Sequence, residues 1–144
     1  MTQSSIFIDR LLSDDLLIAG LASAFELSKQ EIRLISDVTE LADDAVTGGR
    51  LTCARMAVNG DFAMMIECYP FDPALARLDT RRIIQRLCKD LNVRCAVSME
   101  ENEPYEMWLM DAHGASTLIE LGVDDHTGSF TFSPMPIVKQ PTPR

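Results

Sequence analysis

The dipeptide Asn59-Gly60 stands between two apolar runs, LTCARMAV and DFAMMIECY. Both central positions of a two-residue hairpin turn need positive φ, which Asn and Gly accept at low cost, so the pattern reads as a β-hairpin. Its strands are then antiparallel neighbours, and the rest of the chain must build on that ribbon. Pairing Val58 with Asp61 sets Cys53 opposite Ile66. It also puts Leu51, Cys53, Ala57, Phe62, Met64, Ile66 and Cys68 on one side, the expected core face. Cys53 and Cys68 are diagonal in this register, which suits packing better than a bridge.

Two helices are expected beside the sheet. SDDLLIAGLASAFELS opens with Ser13 as N-cap and two acids in the first turn, favourable to the helix dipole. Leu16, Leu17, Leu21, Ala24 and Phe25 follow on one face, giving a helix over 13–26. The second helix is capped by Asp79 and ends near Asn92. Ile83, Ile84, Leu87, Cys88 and Leu91 cover roughly 140° of its wheel, with Arg82, Arg86 and Lys89 opposite. That basic stripe reads as a solvated face.

The remaining apolar segments alternate or are short and bounded by polar residues, as strands are. EIRLISD, VRCAVSM, YEMWLMD, ASTLIEL and a final SFTF are assigned so. IFIDRLL, upstream of the first helix, fits either a short strand or a helical extension. ELADDAVTGGR and ENEP read as loops. The end, SPMPIVKQPTPR, carries four of the seven prolines and reads as an extended tail from residue 134. The expectation is one α+β domain over 1–133, with two helices on one face of a mostly antiparallel sheet in the order α-β-β-β-α-β-β-β(-β). Met56, Met65, Trp108, Met110 and Leu118 are then expected on the other face, needing cover from a second copy, a partner or the tail.

With 144 residues and 47% apolar content, the chain has the size of one ordinary domain and can bury a sizeable core. No apolar run approaches the ~18 residues that cross a bilayer, and MTQSSIFIDR lacks the basic segment and apolar stretch of a secretory signal. Cys53, Cys68, Cys88 and Cys95 lie inside apolar patterns, which favours reduced, buried thiols and a cytoplasmic setting. The net charge of −9 disfavours nucleic acid and suits a basic partner; the acids concentrate at Asp37, Glu40, Asp43 and Asp44 and again in MEENEPYE.

Chemistry finds little footing. His113 in DAHG and His126 in DDHTG are candidates for a shared metal or acid/base site. DAHG suits a three-residue hairpin loop with Gly114 left-handed, and the strand that leaves it separates the two histidines by on the order of 20 Å. One ion cannot take both. The cysteine spacings give no C-x-x-C, and H-E-x-x-H, phosphate loops and G-x-S-x-G are missing. No metal or cofactor is expected. Glu67, Glu106 and Glu120 are candidate paired carboxylates for a small enzyme, since facing glutamates raise one pKa by repulsion.

The stretch RRIIQRLCKDLNVRCAVSMEENEPYEMWLMDAHGASTLIELGV, followed by DDHTGSF, resembles small bacterial immunity proteins, which neutralise polymorphic or contact-delivered toxins in the cytosol. The resemblance covers the second half of the chain: helix, strand, Pro-Tyr strand, D-x-x-G hairpin and acidic end. It implies a protein that binds a cognate toxin and has no catalytic residues. Glu100, Glu101, Glu103, Tyr105 and Glu106 are then the expected partner-binding loop. Trp108, Met110 and Leu118 form an apolar strip between Glu106 and Glu120, aromatics anchoring and acids steering. Size, acidity and the early element order are also similar to type III secretion chaperones. That likeness implies a homodimer holding an effector segment on a Met-rich sheet face. The chain departs from this second pattern after the second helix, where strands stand in place of a third helix.

Overall fold

The computed structural model describes residues 1–36, 49–99 and 105–135. Its strands are β1 (Ser4–Ile8), β2 (Ile32–Ile35), β3 (Leu51–Ala57), β4 (Met64–Pro70), β5 (Cys95–Val97), β6 (Glu106–Met110), β7 (Ser116–Val123) and β8 (Phe130–Pro134). Helix α1 (Asp14–Phe25) follows β1, and α2 (Pro73–Ala76) and α3 (Thr80–Leu91) lie between β4 and β5. They form an α+β fold with one eight-stranded sheet ordered β2-β3-β4-β1-β5-β6-β7-β8. Among the described strand pairs only β2–β3 is parallel.

The ambiguous segment IFIDRLL resolves as a strand, and it is the centre of the fold. Ile6 pairs with Ile66 on one side and Val97 on the other. Ile6 and Ile8 are fully buried beneath the helices. So short a strand survives because β4 pairs along its whole length, β5 pairs with Ile6 to Ile8, and its apolar side chains sit in the core.

The two expected helices, α1 and α3, form where the sequence places them, and the one-turn α2 is additional. The Ser13 hydroxyl accepts from Leu16 N–H, and the Asp79 carboxylate accepts from Arg81 N–H. Leu17, Leu21 and Phe25 of α1 and Ile83, Ile84 and Leu87 of α3 pack on Ile6, Ile8, Leu51, Cys53, Met64, Ile66 and Cys68. Leu16 is a correction: it lies on the exposed side of α1.

The β3–β4 connection also differs from expectation. Ala57 pairs with Met64 and Cys53 directly faces Cys68, so the connection runs from Val58 to Ala63 and is no two-residue turn. Leu51, Cys53, Met64, Ile66 and Cys68 hold the core face as expected, but Ala57 is exposed and Phe62 lies on the opposite side of the sheet. The cause is far along the chain. Phe130 N–H donates to Asn59 O at 2.8 Å and Asp61 N–H donates to Phe130 O at 2.8 Å, while the Asp61 carboxylate accepts from Phe132 N–H at 2.9 Å. Gly60, at φ 107, forms a parallel bridge to Phe130. The hairpin tip thus docks on the outer edge of β8 and curls the sheet.

That closure covers the second face from within the chain. Phe7, Phe62, Ala96, Met107 and Ile119 are buried together, flanked by Met65, Leu109, Leu121, Phe130 and Phe132. Ring centroids lie 5.5 Å apart for Phe7–Phe62, 4.9 Å for Phe7–Phe130 and 5.6 Å for Phe62–Phe132, within the favourable range for aromatic pairs. Of the methionines expected on this face, Met65 is half-buried against the cluster, whereas Met56 is 53% exposed. Pro134 belongs to β8, and Met135 is buried with its N–H on Leu118 O, so both belong to the folded unit where the tail was expected to begin. The rest of the proline-rich end lies outside the described residues.

Candidate functional site

Strand β6 has two apolar faces, and the structure chooses between them. Trp108 pairs with Leu118 and Met110 with Ser116 on the side beneath α3. Met110 is 0% and Leu118 4% exposed, so the strip expected on the outer side is turned inward. Trp108 packs against the helical core, with the Arg81 guanidinium 4.9 Å above its ring. Its indole N–H is buried and has no hydrogen-bond partner among the described residues. An accessible strip would have to come from Met107, Leu109 and Ile119, and those are packed against the phenylalanine cluster.

What remains accessible is the rim. Tyr105 is 70% exposed and holds φ 69, a conformation costly for a bulky side chain. Its carbonyl accepts from Leu121 N–H at 2.8 Å, which fixes the residue at the entrance to β6. Next to it Glu106 faces Glu120 across the β6–β7 pair, as the hairpin pattern implies. Glu100, Glu101 and Glu103 lie outside the described residues, as do Asp37, Glu40, Asp43 and Asp44.

Among the described residues the sheet has a gap beside this rim. β5 ends at Val97, which pairs with Ile6 and Trp108, so Ser4 and Ser5 of β1 and Met107 of β6 extend past it. The result is an open cleft of about 810 Å³ lined by Ser4, Ser5, Asp79, Arg81, Ser98 and Met107, among others. The Met1 amino group donates to the carbonyls of Leu75 and Ala76 at its edge. Sequence reasoning missed this cleft, because it follows from the unequal lengths of three strands that are distant in the chain.

The carboxylates do not converge. Glu67 pairs with Ser5 and Ala54 on the face opposite the helices, whereas Glu106 and Glu120 share the helical side with Trp108. Glu67 is engaged by Tyr69, whose hydroxyl donates to it at 2.5 Å; this bond, aided by burial, pushes the Tyr69 phenol up to about 12.

The histidines occupy separate turns, as expected. The Asp111 carboxylate accepts from His113 N–H at 2.8 Å and Ala115 N–H at 3.0 Å, with Gly114 at φ 88. The Asp124 carboxylate accepts from His126 N–H at 2.8 Å and Thr127 N–H at 3.3 Å, with Gly128 at φ 68. The backbone donors of Ala115 and then His113 hold the Asp111 carboxyl below its ordinary range. Strand β7 separates the turns. Among the described residues no group of three or more His, Cys, Asp or Glu is arranged to hold a metal ion. No described helix is long and apolar enough to cross a membrane.

No family model matches the chain, nor does any curated protein or solved structure.

Proposed function

We propose that this is a non-enzymatic inhibitor that binds a basic protein toxin through the rim at Tyr105, Glu106 and Glu120. The carrying observation is Tyr105 itself: a 70% exposed aromatic held at φ 69 beside two facing glutamates. Strained backbone persists where the surrounding structure holds it and clusters at ligand-binding sites, and tyrosine supplies large contact area with little side-chain entropy to lose. The net charge of −9 supports a cationic partner, whose approach it would steer. Glu100, Glu101 and Glu103 extend the acidic segment in sequence and belong to the same proposed surface.

The test is purification from the native cell with native mass measurement and an activity assay of whatever co-elutes. A folded basic protein at one to one, toxic alone and silent in the complex, supports the proposal. A homodimer carrying one unfolded segment replaces it with the secretion-chaperone reading. With the partner in hand, Tyr105→Ala should weaken affinity by roughly 10- to 100-fold, the range for an aromatic hot spot. Glu106→Lys with Glu120→Lys should slow association and flatten its salt dependence. Toxin protection that survives lysine at 100, 101 and 103 removes the acidic segment from the surface.

A further inference from the structure

All four cysteines are buried and free. Two of them stand closer than packing requires. Cys53 on β3 and Cys68 on β4 are direct cross-strand partners, and their Sγ atoms are 3.2 Å apart. The pairing type follows from the ladder. Val58 N–H donates to Ala63 O and Phe71 N–H to Arg50 O, both at 3.0 Å, so the hydrogen-bonded positions of this register fall on even-numbered residues of the first strand. Cys53 therefore occupies a non-hydrogen-bonded position, where facing Cα atoms are about 4.5 Å apart and side chains lean together. A disulfide accepts Cα separations of roughly 4.4–6.8 Å, and the sulfurs need to close by only about 1 Å to reach bonding distance.

We propose that Cys53 and Cys68 are a reversible modification site, oxidised by a peroxide to an intramolecular disulfide that staples the β3–β4 hairpin. One sulfur, as thiolate, attacks a peroxide oxygen. The O–O bond breaks, the departing hydroxide takes up a proton to leave as water, and a sulfenic acid remains. The second sulfur attacks the first, the S–O bond breaks and a second water leaves. Two thiols and one hydrogen peroxide give one disulfide and two waters, with two electrons passing from sulfur to oxygen. The hydrogen bond to the Cys68 thiol, and then burial, raise the Cys53 thiol well above its ordinary range, so the reaction proceeds through local opening of the hairpin. The short Cα spacing sits at the edge of disulfide geometry, which keeps the bond reducible. The link would span the segment 58–63, whose tip locks onto β8, so oxidation stiffens the closure of the sheet.

Tryptic cleavage separates the four thiols, because Cys53 falls in LTCAR, Cys68 in the peptide 56–77, Cys88 in LCK and Cys95 in the peptide beginning at Cys95. The folded, reduced protein is treated with hydrogen peroxide, denatured with an alkylating agent and mapped by mass spectrometry. The expected product is LTCAR joined to the 56–77 peptide with loss of two hydrogens. The Tm of the intact oxidised protein should rise by about 5 to 10 °C and return to the starting value with dithiothreitol. Recovery of Cys53 and Cys68 as alkylated thiols, as sulfinic or sulfonic acids, or in bridges to Cys88, Cys95 or a second chain overturns the proposal. A Cys88→Ser variant should still form the link, since that thiol is engaged with Met110 O and Cys95 and plays no part in it.

Discussion

Replacing Gly60 by alanine tests whether the sheet is closed by its own hairpin. A Cβ at this position would lie 2.1 Å from Phe130 O and 2.9 Å from Phe130 N, both backbone atoms of β8. Neither strand can yield by rotating a side chain, so the tip must leave β8. The backbone conformation at φ 107 adds about 1–3 kcal/mol for a residue with a side chain. Losing the two backbone bonds between Asn59, Asp61 and Phe130 adds about 0.5–1.5 kcal/mol each. The sum is about 2–6 kcal/mol, a large part of the roughly 5–15 kcal/mol that holds a domain together. Urea unfolding followed through Trp108, the only tryptophan, measures it, and amide exchange at Phe130 and Phe132 localises it. Gly114→Ala is the control, because its φ is also positive but nothing lies within 4 Å of the added Cβ. It should lose only roughly 1–2 kcal/mol, the cost of the left-handed conformation. Equal losses in the two variants, with Phe130 and Phe132 still protected in Gly60→Ala, would refute the closure.

Further outcomes follow from the core and the titrating groups. Ile84→Ala should destabilise by about 2–5 kcal/mol in the same unfolding assay, whereas Leu16→Ala should change stability by less than about 0.5 kcal/mol, since only the first side chain is buried. In a Tyr105→Phe background, spectrophotometric titration should place the remaining phenol at about 12, and Glu67→Gln should bring it back toward 10. Because the folded state keeps that proton while the unfolded state loses it, stability should fall as pH rises from about 10 to about 12. Acid acts in the opposite sense. Glu31 is lowered by the Ser28 N–H and then Arg50, Asp72 by the Ala74 N–H and then Arg50, and Asp111 by the Ala115 and His113 N–H groups. Each contributes stability that is present above the ordinary carboxyl range and lost as pH falls through its lowered value. Asp111→Asn should therefore flatten the acid limb of a stability–pH curve.

Local chemistry was legible in the sequence where it decides structure within a few residues. The Asp79 cap and the spacing of Ile83, Ile84, Leu87 and Cys88 specify α3 wherever it docks. DAHG and DDHTG carry their own turn instructions, an aspartate that accepts backbone N–H groups and a glycine that takes positive φ. Long-range competition was not legible. Asn59-Gly60 satisfies the rule for a tight hairpin, yet the same residues make better use of their backbone groups on Phe130, and the turn opens to reach it. Strand β6 fails for a related reason. Met107 and Leu109 on one side and Trp108 and Met110 on the other are both apolar, so alternation defines two faces without saying which receives α3. For the candidate site, Tyr105 and the facing glutamates could be read from the hairpin register, but the cleft beside them could not.

The closed second face also separates the two kinds of partner-binding protein. A chaperone that shelters an apolar segment needs an open sheet face, and here Phe7, Phe62, Phe130 and Phe132 occupy it together. An effector segment would have to displace the hairpin tip from β8. An inhibitor that binds through Tyr105, Glu106 and Glu120 needs no such opening. Gly60→Ala, studied well below its Tm, therefore gives opposite outcomes. If the face is the binding surface, loosening the lock exposes it, and affinity for an apolar segment rises together with binding of a hydrophobic dye. If the rim is the surface, the dye signal rises, but affinity for the folded partner stays within a factor of two or so, because mutations at sites that share no contacts leave one another's energies nearly unchanged. A large loss of affinity for the folded partner would show that the rim depends on the lock and would move the docking surface onto β8.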